Sequence, residues 1–156
     1  MGRRNARKNA FFLLFQMDFN EAEEFEQVKE IFFQEREEAL APAAEEAELS
    51  EEDKLFVMGP LEEEDKAFIL GEVEGVKAHQ EEIDDVIRNS AKGWTPERMN
   101  KVDLAILRLA IYEMRYGEDT PVGVAINEAV ELAKKFSSDE APAFINGVLG
   151  KAAEQM

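Results

Sequence analysis

Apolar side chains recur along this chain three and four residues apart, the spacing of a helix face, and no alternating runs are joined by Asn-Gly hairpin turns. The pattern predicts a first helix over about residues 5–19, with Ala6, Ala10, Leu13, Leu14 and Met17 on one side. A second is predicted over 21–40, striped by Phe25, Val28, Ile31 and Phe32. Residues 41–60, rich in Ala, Glu and Pro, read as a loop in which Leu55, Phe56 and Val57 can pin one end. Helical spacing returns from residue 62 to about 91, where Phe68, Ile69, Val73, Val76, Ile83 and Ile87 would face inward.

The second half is better punctuated. Thr95-Pro96 and Thr120-Pro121 each place a capping residue ahead of proline, which suits the first position of a helix. Residues 102–116 hold only Asp103, Arg108, Glu113 and Arg115 as charges, so they predict a buried central rod, with Asp103 favouring the N-terminal dipole and Gly117 ending it. A helix over 122–136 would bury Ile126, Ala129, Val130 and Ala133 and pair Glu131 with Lys135 outside. A last helix starts near Asp139, tolerates Pro142 in its first turn, and buries Ile145, Val148 and Leu149. These elements predict an all-α fold, a single bundle of six or seven helices, in one domain over 1–156 with an acidic, variable region at about 20–65.

Composition narrows the chemistry. The 156 residues are 45% apolar and include eleven Phe, enough for a core. Cysteine is absent, which excludes a disulfide scaffold, a thiolate zinc site and a cysteine nucleophile. The apolar run 10–15 is too short for a secretory signal and nothing is long enough to span a bilayer, so a cytoplasmic protein with no membrane partner is expected. His79 is the single histidine, expected to be exposed and with no metal-ligand spacing around it. Gly71, Gly75 and Gly117 form no phosphate loop, and Ser90, Ser137 and Ser138 have no base in a recognisable motif. The inventory predicts no enzyme, no metal and no cofactor.

Charge is uneven. The net is −17, yet residues 1–17 carry four bases and no acid, while 18–85 carry 25 acids against 5 bases. A basic tip on an acidic body can orient an anionic ligand. On a helical wheel Arg3, Arg4, Arg7 and Lys8 share an arc beside the core face, and Phe11, Phe12 and Phe15 continue it. Such a face suits single-stranded RNA, with guanidinium groups on phosphates and bases on rings. The plainer reading stands beside it and is favoured by the wheel alone: a solvated basic end, and Phe residues that belong to the core. Trp94 reads as a core anchor, Arg108 as a structural ion-pair or hydrogen-bond donor, and Asn127, Glu128 and Asn146 as capping or interhelical groups.

Several segments resemble one family. Val102-Asp103-Leu104-Ala105-Ile106-Leu107-Arg108-Leu109-Ala110-Ile111-Tyr112-Glu113-Met114 is similar to the central helix of the NusB family. Pro121-Val122 with the run from Val124 to Lys134, and then Phe144-Ile145-Asn146-Gly147-Val148-Leu149, are similar to its next two motifs. The basic start from Arg3 to Lys8, and Trp94, Arg98 and Met99 ahead of the central helix, fit as well. Three motifs in order and correctly spaced are specific where one would not be. The likeness covers about residues 3–19 and 66–153 and is absent from 20–65.

The resemblance implies a transcription antitermination factor, not an enzyme, that binds boxA-type single-stranded RNA with a small-subunit ribosomal protein (NusE) on the elongating transcription complex, chiefly at ribosomal RNA operons. By the same resemblance the RNA contact falls on Arg3, Arg4, Arg7 and Lys8, and the partner contact on Phe15, Phe136, Glu140 and Phe144. For the basic cluster, it reverses the preference drawn from the wheel. Phe15 stands where the family usually has Tyr, and Phe136-Ser137 stands for its Phe-Gly. Two alternatives stay open: a NusB-fold protein-interaction module with weakened RNA binding, favoured by the acidic middle, and a homodimer that hides the Phe11–Phe15 face.

Overall fold

A computed structural model describes residues 2–38 and 61–156, with the side chains of 36–38 left aside; the predicted loop 41–60 lies outside the described residues. Among the described residues there are seven α-helices, two 3-10 turns and no strand, so the all-α expectation holds. The chain divides into two compact units, Met1–Gly71 and Glu72–Met156.

In the first unit, α1 spans Arg3–Met17. Ala6, Ala10, Leu13, Leu14 and Met17 are almost completely buried, as their spacing predicts. The end of α1 is closed by Asn20, whose Nδ2 donates to the Gln16 carbonyl at 2.9 Å, one of the acceptors a helix end leaves open. A 3-10 turn, Ala22–Glu24, leads into α2, Phe25–Glu38, which packs on α1. Here Phe32 and Phe33 are buried edge to face, 5.3 Å between centroids, whereas Ile31 is exposed. The predicted stripe is corrected: the inward direction lies between Phe32 and Phe33, which leaves Ile31 on the far flank of the helix.

Helix α3, Glu63–Ala78, opens with three acids and carries Lys77 in its last turn, both favourable to its dipole. Ile69, Val73 and Val76 are fully buried at i, i+4, i+7. The helical stretch expected over 62–91 is two helices. His79 breaks it with φ −113° and ψ 17°, and α4 runs Gln80–Ser90. Val76 and Ile83 are seven residues apart, two helical turns, so the apolar stripe passes through the break in phase and periodicity cannot register it.

The second unit is built around α5, Lys101–Tyr116, whose residues from Asp103 to Ile111 are all buried, the rod that its composition predicts. Its cap is Asn100. Asn100 Oδ1 accepts from the Asp103 amide at 2.8 Å, and its Nδ2 donates to Asp103 Oδ2 at 2.9 Å. Thr95 instead precedes a short 3-10 turn, Pro96–Arg98, without a side-chain cap. Gly117 closes α5; its amide donates to the Glu113 carbonyl at 2.8 Å, an approach that a Cβ would obstruct. Helix α6, Val122–Phe136, and α7, Ala141–Glu154, pack on α5 and on each other, and α7 also packs on α4. In α6 the buried set is Ala125, Ala129, Leu132 and Ala133, with Ile126 and Val130 only half-buried, and Glu131 pairs with Lys134 at 3.2 Å. Gln155 Nε2 donates to Ser90 Oγ at 2.8 Å and ties the end of α7 to the end of α4.

Candidate nucleic-acid interface

The basic head of α1 is only partly a surface. Arg3 and Arg4 are exposed, but Arg7 is 7% and Lys8 2% exposed, and Phe11 is 2% exposed. The exposed cationic arc predicted from the wheel is therefore corrected at Arg7, Lys8 and Phe11. Seven consecutive residues, Asn5 to Phe11, are buried, and seven residues span nearly two turns, so this part of α1 is enclosed all round. A wheel assumes one inward face and cannot detect that. Arg4, Arg7 and Lys8 each have interactions of their own within the molecule. Arg3 stacks on Phe68, with Cζ 4.0 Å from the ring centroid.

Rings follow the cations along α1 and into the turn after it. Phe11, Phe15 and Phe19 stand at i, i+4, i+8, with centroids 6.3 and 5.0 Å apart in sequence, and the second pair is edge to face. Exposure grows along the row: Phe11 is buried, Phe15 half-buried and Phe19 62% exposed. Phe15, predicted at the partner contact, is thus a reachable ring in the middle of a ladder.

The second unit holds a groove of about 280 Å³ lined by Trp94, Met99, Asn100, Asp103, Ser138, Glu140, Ala141 and Phe144. It brings Glu140 and Phe144, two of the predicted partner residues, to one place; Phe136 is half-buried and outside the lining. Trp94 is 50% exposed and meets Phe144 edge to face at 6.2 Å, which corrects its assignment as a core anchor. An indole this open forms a groove wall rather than core filling. Ser137 Oγ donates to Asp103 Oδ1 at 2.6 Å, while Asn100 binds the other oxygen, so the one carboxylate is held from two elements. The sequence reading missed Asn100, although its three-residue spacing from Asp103 is that of a cap and could have found it; no local signal places the pair in a groove with Glu140 and Phe144.

The chain belongs to the NusB family: the model described as "NusB family" matches residues 4–154. Residues 20–65, where no likeness was expected, lie inside the matched span, which corrects that expectation. Two curated relatives are both named transcription antitermination protein NusB. That of Acetivibrio thermocellus is 43% identical over 97% of this chain and 88% of its own length. That of Clostridium botulinum (strain Loch Maree) is 39% identical over 97% of this chain and 99% of its own. Among solved structures, NusB of T. maritima superposes with a TM-score of 0.76 at 29% identity, covering 99% of this chain and 92% of that one. A structure of antitermination factors NusB and NusE in complex with dsRNA superposes at 0.69 over 99% and 97%, and at 22% identity it speaks for the NusB fold alone.

Elsewhere in this NusB-family chain, His79 is half-buried rather than exposed and stacks on Tyr116 with centroids 4.2 Å apart. Beside the stacked rings is Glu82, which accepts from Tyr116 Oη at 2.5 Å and from Arg115 Nη1 at 2.9 Å. Tyr116 is 34 residues from Glu82, so no local spacing announces the cluster. Asn127 and Asn146 are exposed. Among the described residues no helix is long and apolar enough to cross a membrane, and no three His, Cys, Asp or Glu gather as metal ligands.

Proposed function

We propose that this chain is a non-enzymatic transcription antitermination factor of the bacterial cytoplasm. In this reading it binds boxA-type single-stranded RNA together with the small-subunit ribosomal protein NusE and promotes processive transcription of ribosomal RNA operons. The observation that carries the reading is the 43% identity, over 97% of this chain, to a protein named for transcription antitermination. The family match crosses the boundary between the two compact units, which supports one functional domain.

Arg3 and Arg4, exposed at the head of α1, make the first phosphate contacts. Arg7 and Lys8 contribute chiefly through the positive potential they add behind that pair. Phe15 meets the protein partner, as does the patch of Phe136, Glu140 and Phe144, whose groove has an aromatic wall for an inserted side chain.

A titration of labelled boxA-like RNA, with and without the ribosomal protein, tests the proposal. Salt-sensitive binding is expected. Arg3→Ala and Arg4→Ala should each remove one phosphate contact and so reduce the log–log salt slope by about 0.7. Slopes that coincide for wild type and the double variant reject the role of these residues. A second reading, a protein-interaction module with weakened RNA binding, is favoured by the burial of Arg7 and Lys8 and by the net charge of −17. Capture of the ribosomal protein with no RNA shift at low salt would select it.

A further inference from the structure

We propose that Phe68 is a positioning residue for RNA: its ring holds the Arg3 guanidinium in place at the head of α1, ready for a phosphate. The inference rests on the reading of Arg3 as an RNA contact. Arg3 is the first residue of α1 and is exposed; Phe68 sits in α3, half-buried, next to the fully buried Ile69. The long flexible side chain is thus parked on a ring that the fold fixes, with 4.0 Å between Cζ and the centroid. No ion pair to Arg3 occurs among the described residues, and no acid stands in the first turn of α1.

The chemistry of the contact matters. A guanidinium is a planar fork of five N–H donors. Resting a face on an aromatic ring satisfies the cation without engaging those donors, which lie in its plane. A carboxylate partner would occupy the same donors that a phosphate needs and would compete with RNA. Phe68 restricts the rotamers of Arg3 and leaves its hydrogen-bonding edge available, so less freedom is given up when the strand binds. A lysine at this position would keep the charge but lose the planar fork.

The test uses the full chain and a short labelled boxA-like RNA, with affinity read by anisotropy across a range of salt. The variants are Phe68→Leu, Phe68→Tyr, Arg3→Ala and the pair Arg3→Ala/Phe68→Leu, with thermal unfolding as the check on folding. Phe68→Leu is expected to weaken binding about two- to fivefold, the worth of one exposed cation–π contact, with the salt slope unchanged because the charge remains. Phe68→Tyr keeps the ring and should restore wild-type affinity. Arg3→Ala should reduce the slope by about 0.7, and adding Phe68→Leu to it should cost nothing more. Equal weakening by Phe68→Leu with and without Arg3 marks a structural role and overturns the proposal, as does wild-type affinity of Phe68→Leu beside a weakened Arg3→Ala. If Arg3→Ala alone leaves affinity and slope untouched, the contact at Arg3 fails, and the positioning role falls with it by a distinguishable route.

Discussion

Arg108 and Asp84 meet side-on, with Nε on Oδ1 and Nη2 on Oδ2, both at 2.9 Å. Their side chains are 8% and 12% exposed, so the pair links the middle of α5 to α4 out of water. A buried pair contributes little net stability against an apolar substitute, but a single buried charge left behind is costly. Asp84→Ala is therefore expected to destabilise the protein by about 3–5 kcal/mol, and Arg108→Met together with Asp84→Leu by much less. Urea unfolding of the single and double variants measures both; a double variant as unstable as the single one would contradict the argument.

The head of α1 yields a separation between folding and binding. Arg7 and Lys8 are buried, while Arg3 and Arg4 are exposed. Alanine at Arg7 or Lys8 should lower the melting temperature clearly, whereas alanine at Arg3 or Arg4 should change stability by no more than about 1 kcal/mol. Calorimetry of the four variants decides it, and any RNA titration on the inner two has to be read against that loss of stability.

Gly75 has Tyr112 lying across it: a Cβ there would overlap the phenol ring. Helix propensity alone favours Ala over Gly by about 1 kcal/mol. Overlap with a ring that also packs beside Tyr116 should outweigh this, giving Gly75→Ala a net loss of about 1 kcal/mol or more. The same substitution in a Tyr112→Leu background should cost less. Thermal unfolding of the four proteins checks the sign, and a stabilised Gly75→Ala would show that the ring moves aside freely.

The Tyr116 hydroxyl, assisted by the Arg115 guanidinium and His79 against a smaller opposing effect of burial, holds the Glu82 carboxyl below its ordinary value of about 4.5. A carboxylate with a lowered folded value contributes stability that is present above the unfolded value and lost as pH falls through the folded one. Tyr116→Phe removes the main cause. The gap in melting temperature between wild type and Tyr116→Phe should therefore shrink as pH is lowered from neutrality through about 4.5 and below. A gap that stays constant over that range would show that the hydroxyl contributes independently of the Glu82 charge.

Asn100 caps α5 and binds Asp103 at the edge of the groove. Asn100→Ala should cost about 1 kcal/mol, and Asn100→Ser, which can still accept from the Asp103 amide, clearly less. Denaturant midpoints of the two variants distinguish a cap from a groove wall, since a mere wall residue would not be rescued by Ser.

Local pattern was enough to place the helices that have one buried face and chemical punctuation. The bounds of α6 and the buried run of α5 follow from spacing, Pro121 and Gly117, because a 3.6-residue period and a chain stop are local properties. The family was legible for the same reason: its motifs are contiguous segments with fixed spacing. Which side chains remain reachable depends instead on how the helices pack. Enclosure of α1 on all sides withdrew Arg7, Lys8 and Phe11 from solvent, the opening of a groove exposed Trp94, and the in-phase break at His79 escaped the period. Partners such as Arg3 with Phe68 or Glu82 with Tyr116 stand 65 and 34 residues apart, and contact at that separation is set by how helices pack, which no local pattern encodes.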